Sequence, residues 1–498
     1  MPAVEKANGQ LGLVACLSEN WVMLYCGRFG FSIKSSVVMS NASAAKVFPR
    51  MQPGPRFEVY TLADLEKGTI PHLQILSEEQ RLLMRAVAHV LPFRANRYVV
   101  EELIDWDRVP DDPLFQLTFP QPGMLAPQDL ATMTDLLRRE TPAAEIKAAA
   151  AGIRARLNPH PAGQLQLNRP RDADGRPIDG LQHKYRETVL FFPSQGQTCH
   201  SYCTFCFRWA QFIGDKSLRM ASREAAVVHE YLRRHPEVTD LLITGGDPLV
   251  MKTRHLADYL EPLLAPEFEH LRTIRIGTKS LSFWPYRYLD GDDADELLRL
   301  LEKLVAGGKH VALMAHYNHW RELETPAARR AIARVRETGA VIRAQGPLIA
   351  HVNDDPVVWA RLWRTQVHLG IVPYYMFVER DTGARHYFEV PLVRCWEIYR
   401  EAIQRVSGLG RTVRGPSMSA TPGKVEVQGV AEIGGEKVFV LRFLQGRNPD
   451  WVQRPFFARF DPRATWLDQL KPAFGDDRFF FEDELTAVFQ AERRGGAS

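Results

Sequence analysis

Six short β-rich runs alternate with helical segments through the middle of the chain, and this alternation restricts the fold more than any other feature. The runs cover residues 188–192, 241–244, 273–277, 311–315, 341–345 and 372–378. Strands separated by helices in this way normally pair in parallel. The sequence therefore predicts an α/β protein with a partial (β/α)6 barrel of TIM type, extended at both ends. In such barrels the chemistry lies on the loops that follow the strands.

The flanking sequence divides the chain into four predicted parts. These are an N-terminal extension without an assigned role (1–75), a largely helical region (76–180), the barrel (181–400), and a less regular C-terminal region (401–498). Short strands are expected at 11–16 and 57–60. A capping box formed by Ser77 and Gln80, followed by an apolar stripe, predicts a helix that ends at Val90. Thr141 and Pro142 begin a second predicted helix, which runs to about Leu157.

Composition excludes several classes of protein. The 498 residues are 45% hydrophobic and 24% charged, and the net charge of +4 gives no support for nucleic-acid binding. No apolar run reaches the length of a membrane span, and no signal-peptide pattern is present. A cytoplasmic location is therefore the default expectation. Three of the six cysteines fall within eight positions, which is unlike a disulfide framework.

These three residues, Cys199, Cys203 and Cys206, follow the first predicted strand with the spacing Cx3CxxC. Three thiolates can bind three irons of a [4Fe-4S] cluster, and the fourth iron then stays open for a substrate or cofactor. The alternative is a single zinc ion, which would need a fourth ligand nearby. His200 is the nearest candidate, but it lies within the tight loop.

A second motif follows the second predicted strand. Gly245 and Gly246 allow a backbone to approach a ligand closely, and Asp247 follows them. A Gly-Gly-Asp sequence alone is usually a simple turn. Its position one strand after the cysteines favours a binding loop.

From about residue 111 to residue 424 the chain resembles the lysine 2,3-aminomutase family of radical S-adenosylmethionine (SAM) enzymes. The similar segments are residues 183–185, 199–208, 242–249, 274–277, 315–319, 344–354, 373–375 and 422–424. The resemblance implies a radical SAM barrel, an isomerase activity, and three cofactors: a [4Fe-4S] cluster, SAM and pyridoxal 5'-phosphate (PLP). The reduced cluster would cleave SAM to a radical that takes a β-hydrogen from the amino acid. The amino group would then move from Cα to Cβ and give a β-amino acid.

The resemblance also assigns residues around SAM. Phe205 matches the aromatic position placed against the adenine, and Gly245, Gly246 and Asp247 match the motif that receives the amino group of SAM. His316 and Gln345 match positions directed at the SAM region. Residue type alone is equally consistent with loop packing for Phe205, and with buried polar groups in the barrel for His316 and Gln345.

For PLP, the resemblance points to the segment before the first strand and to a loop after the last. Lys184 and Tyr185 match contacts to the phosphate, whereas a third, arginine position is occupied by Thr188, for which Arg186 could compensate. Lys424 stands where the family places the lysine that bonds the PLP aldehyde, although the run of glycines before that lysine is shortened here.

The resemblance makes Arg208 the residue that binds the substrate α-carboxylate. Lysine-specific members hold the distant ammonium group with two aspartates, and this chain has Arg380 and Ser417 at those positions. A cation and a hydroxyl suit a carboxylate, so an acidic substrate, glutamate or aspartate, is predicted. A one-residue shift of the alignment would instead place Glu379 or Asp381 there and retain a basic substrate. A radical SAM reaction without PLP is a further alternative.

The expected partners are a small amino acid and an external electron donor, such as a flavodoxin or ferredoxin, with no nucleic acid and no membrane. The family's zinc site between subunits is not expected, because Asp355 stands where a cysteine would be and no cysteine follows Cys395. A homo-oligomer would need another interface.

Overall fold

A computed structural model describes residues 54–172, 174–213, 221–222 and 225–495. They belong to one compact unit, Met51–Ser498. The strand predicted at 11–16 lies outside the described residues. No helix among the described residues is long and apolar enough to span a bilayer.

The described chain contains strands β1 to β13. Their bounds are Val59–Thr61, Arg94–Asn96, Leu181–Tyr185, Thr188–Phe191, Asp240–Ile243, Thr273–Thr278, His310–His316, Val341–Leu348, Val372–Val378, Arg414–Ser419, Gly423–Ile433, Glu436–Gly446 and Pro455–Arg459. β1 and β2 form a small antiparallel sheet, and the other strands form one sheet of 11 strands. All six predicted runs are strands, each within a few residues of its predicted bounds.

Helices α1 to α15 are Leu62–Lys67, Glu78–Val90, Pro113–Thr118, Pro127–Arg138, Ala143–Arg156, Gln164–Leu167, Ala225–Arg234, Thr253–Leu260, Ser280–Phe283, Asp292–Ala306, Pro326–Glu337, Pro356–His368, Arg385–Phe388, Leu392–Gln404 and Glu482–Gly495. The helix predicted from Ser77 is confirmed as α2. The Ser77 hydroxyl accepts from the Gln80 backbone at 3.2 Å, and the Gln80 side chain accepts from the Ser77 backbone at 2.8 Å. The second predicted helix is α5.

Strands β4 to β9 pair in parallel in chain order, with helices between successive strands. The large sheet runs in the order β13 to β3 without interruption. β10 adds a seventh parallel strand beside β9, so the prediction of six is one too few.

The C-terminal region also differs from its prediction as a less regular tail. β11, β12 and β13 continue the sheet in antiparallel pairing. Gly434 and Gly435 join β11 to β12 with φ of 60° and 83°, a left-handed conformation that glycine adopts without strain. The two-glycine turn between apolar runs was a hairpin signal in the sequence.

The large sheet curls so that distant strands meet. The Lys184 ammonium of β3 donates to the Ala420 carbonyl, between β10 and β11, at 2.6 Å. Arg447, after β12, donates to Asn168 Oδ1, before β3, at 2.5 Å. In a flat sheet β3 and β10 would lie about 34 Å apart, at roughly 4.8 Å per strand. The curl brings the loops at one end of the parallel strands around a common space.

Candidate functional site

The cysteine loop follows β4 and is held by the segment that precedes the large sheet. The Tyr202 backbone N–H donates to the Arg94 carbonyl at 2.8 Å, and the Thr204 N–H donates to the Leu117 carbonyl at 3.0 Å. The Asn96 side chain donates to the His200 carbonyl at 3.1 Å. The helical N-terminal region therefore fixes the shape of the loop.

The three loop thiols, Cys199, Cys203 and Cys206, are partly buried, whereas Cys395 is fully buried and donates to the Val390 carbonyl. Burial raises the pKa of the Cys206 thiol to about 11 and also raises the pKa of Cys199 and Cys203. Metal binding must therefore release protons from these thiols.

Among the described residues, no three His, Cys, Asp or Glu side chains are already grouped to hold a metal ion. In a [4Fe-4S] cluster each thiolate binds a different iron, so its sulfurs stand further apart than the ligands of one ion. The ring of His200, the candidate fourth zinc ligand, instead packs edge-on against Phe57 with ring centroids 5.7 Å apart.

The glycine loop after β5 packs directly on the start of the cysteine loop. A Cβ on Gly246 would lie 2.3 Å from the Thr198 carbonyl oxygen, and one on Gly245 would lie 2.3 Å from Gln197 Nε2. Gly245 also has φ of 150°. Both positions need glycine for this close contact, so the two motifs form one unit.

Asp247 joins this loop to the end of β6. Its buried carboxylate accepts from the Thr278 hydroxyl at 2.8 Å, from the Lys279 backbone N–H at 2.9 Å and from the Leu249 N–H at 3.0 Å. Burial raises the pKa of Asp247. The structure thus shows Asp247 holding the loop together, and its contact with SAM stays a prediction.

Phe205, His316 and Gln345 lie close together at the ends of the strands. The ring of Phe205 is buried, with its centroid 5.8 Å from that of His316 and 6.2 Å from that of Phe388. His316 of β7 pairs with Gln345 of β8. Burial lowers the pKa of His316 well below its ordinary value, which keeps the imidazole neutral.

A buried ion pair that the sequence did not reveal supports the same loops. The Lys279 ammonium lies 2.5 Å from Glu322 Oε1 and also donates to Asn318 Oδ1 at 3.1 Å and to the His316 carbonyl at 3.2 Å. Glu322 is fully buried and accepts from the His319 backbone N–H at 2.8 Å. The pair ties the end of β6 to the loop after β7.

Lys424 is the second residue of β11, and its side chain lies among residues of β3, β9 and β12. Its Nζ donates to Gln445 Oε1 at 2.8 Å and lies 4.6 Å from the centroid of the Tyr375 ring. Burial, with the nearby Arg275 and Arg414 guanidinium groups, lowers the pKa of Lys424 to about 7. A substantial fraction of the amine is therefore unprotonated at neutral pH, as a nucleophile for an aldehyde requires.

The β3 residues predicted to contact the PLP phosphate are near Lys424. The Tyr185 ring lies 5.8 Å from Lys424 Nζ and 5.5 Å from Lys184 Nζ. Burial, with Arg447 next in effect, lowers the pKa of Lys184 well below its ordinary value. Arg186 is exposed at the turn between β3 and β4, unlike Lys184 and Tyr185, and its replacement of the missing arginine stays a prediction.

Arg208 and Arg380 form a pair of partly buried cations. Their guanidinium carbons lie 5.0 Å and 5.2 Å from the centroid of the same Phe207 ring. In the described structure, Arg208 Nη1 and Arg380 Nε are buried without a hydrogen-bond partner. Burial lowers the pKa of Arg208 to about 10, and the charge of Arg380 adds to this effect.

The acidic neighbours of Arg380 in sequence are Glu379 and Asp381, and Asp381 Oδ1 lies 3.9 Å from Arg380 Nε. The Asp381 carboxylate accepts from Asn158 Nδ2 at 3.3 Å, and burial raises the pKa of Glu379 well above its ordinary value. Ser417 is fully buried, and its hydroxyl has no hydrogen-bond partner in the described part of the chain. The structure therefore groups Arg380 with Arg208 and leaves the predicted role of Ser417 untested.

Three thiols lie after the first parallel strand, and a glycine loop from the second packs on the start of their loop, which is the arrangement of a radical SAM enzyme. No family model matches the chain. The chain is 30% identical over 397 residues to a putative L-lysine 2,3-aminomutase of Aquifex aeolicus, which covers 80% of this chain and 92% of that protein. The chain belongs to the radical SAM lysine 2,3-aminomutase family.

Two more relatives carry the same name. The chain is 30% identical to the L-lysine 2,3-aminomutase of Escherichia coli, over 46% of this chain and 63% of that protein. It is 26% identical to the L-lysine 2,3-aminomutase of Methanococcus maripaludis, over 59% of this chain and 65% of that protein. The chain spans just under two thirds of each. Among solved structures, Streptococcus suis SuiB bound to its precursor peptide is similar over 58% of this chain and 61% of that one, with 15% identity and a TM-score of 0.33. That likeness is too weak to support a conclusion.

Proposed function

We propose that this protein is a PLP-dependent amino acid 2,3-aminomutase whose preferred substrate is acidic, glutamate or aspartate. The observation that carries the substrate class is the Arg208 and Arg380 pair, whose buried nitrogens lack partners among the described residues. Among the described residues Arg208 has no ion pair, and Arg380 has only Asp381 at 3.9 Å. Buried cations are costly without a close anion, and a dicarboxylate would supply one carboxylate to each guanidinium group. A lysine substrate would bring a second ammonium group towards Arg380 instead.

The residues present fit the cofactors of the family. Cys199, Cys203 and Cys206 would hold three irons of a [4Fe-4S] cluster and leave one iron open for SAM. Lys424 would bond the PLP aldehyde, since its lowered pKa provides the free amine. Together these cofactors supply a radical initiator and a carrier for the migrating amino group.

The chain's own residues then position the substrate. Arg208 would hold the α-carboxylate with its planar fork, and Arg380 would hold the distal carboxylate. Two fixed ends leave the Cα–Cβ bond little freedom, which is what a shift between adjacent carbons requires. Neutral His316 adds no further positive charge beside SAM. We also propose that the curled strands form the partial barrel of radical SAM enzymes and that a cytoplasmic flavodoxin or ferredoxin reduces the cluster.

A basic substrate would need Glu379 or Asp381 in the place of Arg380. Asp381 interacts with Asn158, and the raised pKa of Glu379 favours an uncharged acid, which attracts an ammonium group weakly. Neither observation favours lysine.

The test is an anaerobic assay of reconstituted protein with SAM, PLP and single amino acids, in which β-amino products are measured. Glutamate or aspartate should be turned over and lysine should not. Arg380→Gln should lower kcat/KM for the acidic substrate at least about 30-fold, since truncating a buried charge partner costs about 2 kcal/mol or more. The exposed Arg186→Gln should have no effect. Turnover of lysine alone, or an unchanged Arg380→Gln variant, would refute the acidic preference.

A further inference from the structure

Two arginines of the parallel strands contact the two tyrosines of β9, and the charge of a third acts on Tyr375. Arg275 comes from β6, Arg343 from β8 and Arg414 from β10. The Arg414 guanidinium carbon lies 4.4 Å from the Tyr374 ring centroid and 4.3 Å from that of Tyr375. Arg343 lies 5.4 Å from the Tyr374 ring. We call Arg343 and Arg414 the interior arginine pair.

Arg275 is already neutralised. Its guanidinium group binds the Asp240 carboxylate through two nitrogens, one of them Nε at 2.7 Å from Oδ1. Thr188, which occupies the position of the family's third phosphate arginine, donates its hydroxyl to Asp240 Oδ2 at 3.1 Å. The position of the missing arginine, Thr188, is therefore hydrogen-bonded to the Arg275–Asp240 ion pair. This pair has no net charge and offers no excess positive charge to a phosphate.

The interior arginine pair is not neutralised in this way. Both side chains are partly buried, and among the described residues neither forms an ion pair or a hydrogen bond through its guanidinium group. Their contacts are with aromatic faces, which stabilise a cation less than a paired anion does. Two enclosed positive charges beside tyrosine side chains suit a dianion.

One aromatic ring connects this pair to the PLP lysine. Lys424 Nζ and the Arg414 guanidinium group both contact the ring of Tyr375. PLP carries its phosphate on a hydroxymethyl group, attached to the ring carbon next to the one that bears the aldehyde. A phosphate site must therefore lie close to the lysine that bonds the aldehyde.

We propose that Arg414 and Arg343 bind the phosphate of PLP and replace the arginine that is missing at Thr188. The inference rests on the proposed function, because it assumes that Lys424 bonds the PLP aldehyde. Arg414 lies opposite Tyr375 in the parallel β9–β10 pair, and Tyr185 lies opposite Thr188 in β3–β4. Tyr185 would thus border the same space, whereas exposed Arg186 would not.

The experiment compares PLP with pyridoxal, which has the aldehyde but no phosphate. Binding of each to the full-length apoprotein is followed by absorbance of the lysine adduct, and Lys424→Ala shows that the adduct is at Lys424. Wild type should bind PLP at least 100-fold more tightly than pyridoxal. In Arg414→Gln this ratio should fall at least tenfold, Arg343→Gln should act in the same direction, and Arg414→Lys should recover part of the loss.

The quantity to compare between variants is the ratio of PLP affinity to pyridoxal affinity. Loss of Arg414 also alters the basicity of Lys424, which affects the binding of both aldehydes equally and leaves the ratio unchanged. Pyridoxal binding shows in addition that a variant is folded, and Arg186→Gln is the matched control. An unchanged ratio in Arg414→Gln and Arg343→Gln, or an equal fall in Arg186→Gln, would overturn the inference while the proposed function stands. If wild type forms no adduct with either aldehyde, the PLP-dependent function fails and the inference fails with it.

Discussion

Replacing Lys424 with methionine is expected to stabilise the apoprotein. The pKa of Lys424 is about 7 in the folded state against an ordinary value of 10.5, so folding must remove part of its charge. Each pKa unit corresponds to roughly 1.4 kcal/mol. Because the folded pKa is lowered, the cost is complete below pH 7, is about 4 kcal/mol at pH 7, and disappears as pH rises through 10.5. Methionine removes this cost but also the hydrogen bond to Gln445, worth about 1 kcal/mol.

The free energy of unfolding of Lys424→Met should therefore exceed that of wild type by about 3 kcal/mol at pH 7. At about pH 9.5 the cost of burying the charged amine has fallen to about 1 kcal/mol, and the two proteins should be about equally stable. Urea unfolding of the reduced apoproteins at both pH values measures the difference. Lys147→Met, at an exposed position of α5, is the control and should change stability equally at both. A Lys424→Met variant that is less stable than wild type at pH 7, or whose effect does not change with pH, would refute the reasoning.

Two further predictions concern the loops around the cluster. Gly246→Ala should lower the iron content of the reconstituted protein by more than about half, because the new Cβ would collide with the Thr198 carbonyl on the cysteine loop. Gly152→Ala is the control: its Cβ meets nothing within 4 Å, and the free energy of unfolding should rise by about 1 kcal/mol. Full iron content in Gly246→Ala would contradict this. Lys279→Met should lower the unfolding free energy by about 3 kcal/mol because it leaves Glu322 buried and unpaired, and Glu322→Gln in the same chain should restore part of it. The absence of recovery would mean that the pair itself is not the cause.

The parallel part of the fold was predictable because each strand carries its own local signal. β4 to β9 are apolar and β-branched, and helices of suitable length separate them. The start of α2 was predictable for the same reason, since Ser77 and Gln80 lie within one helical turn. The hairpin of β11 and β12 was missed although Gly434 and Gly435 mark its turn.

The family resemblance pointed to Lys424, Arg208 and the cysteines, since these positions are fixed relative to motifs in the chain, and their roles stay predictions. It could not locate the interior arginine pair. Arg343 and Arg414 are 71 positions apart in sequence, and they meet at Tyr374 only through the register of β8, β9 and β10. Arg186 is two residues from Thr188 and would share its face in a continuous strand, but it lies in the turn between β3 and β4 and is exposed there.

The cations of this site connect folding to ligand binding. Four arginines of this site lose hydration when the chain folds: Arg208, Arg380, Arg343 and Arg414. In the described part of the protein the only carboxylate within ion-pair distance of any of them is Asp381, 3.9 Å from Arg380 Nε. Unfolded chains keep these groups hydrated, so their enclosure costs the folded apoprotein free energy. An anion that binds only the folded state stabilises it by mass action and so offsets part of this cost. The departures from the lysine-specific pattern therefore describe a site with an excess of positive charge, and this excess is the physical basis of the proposal that the substrate is acidic.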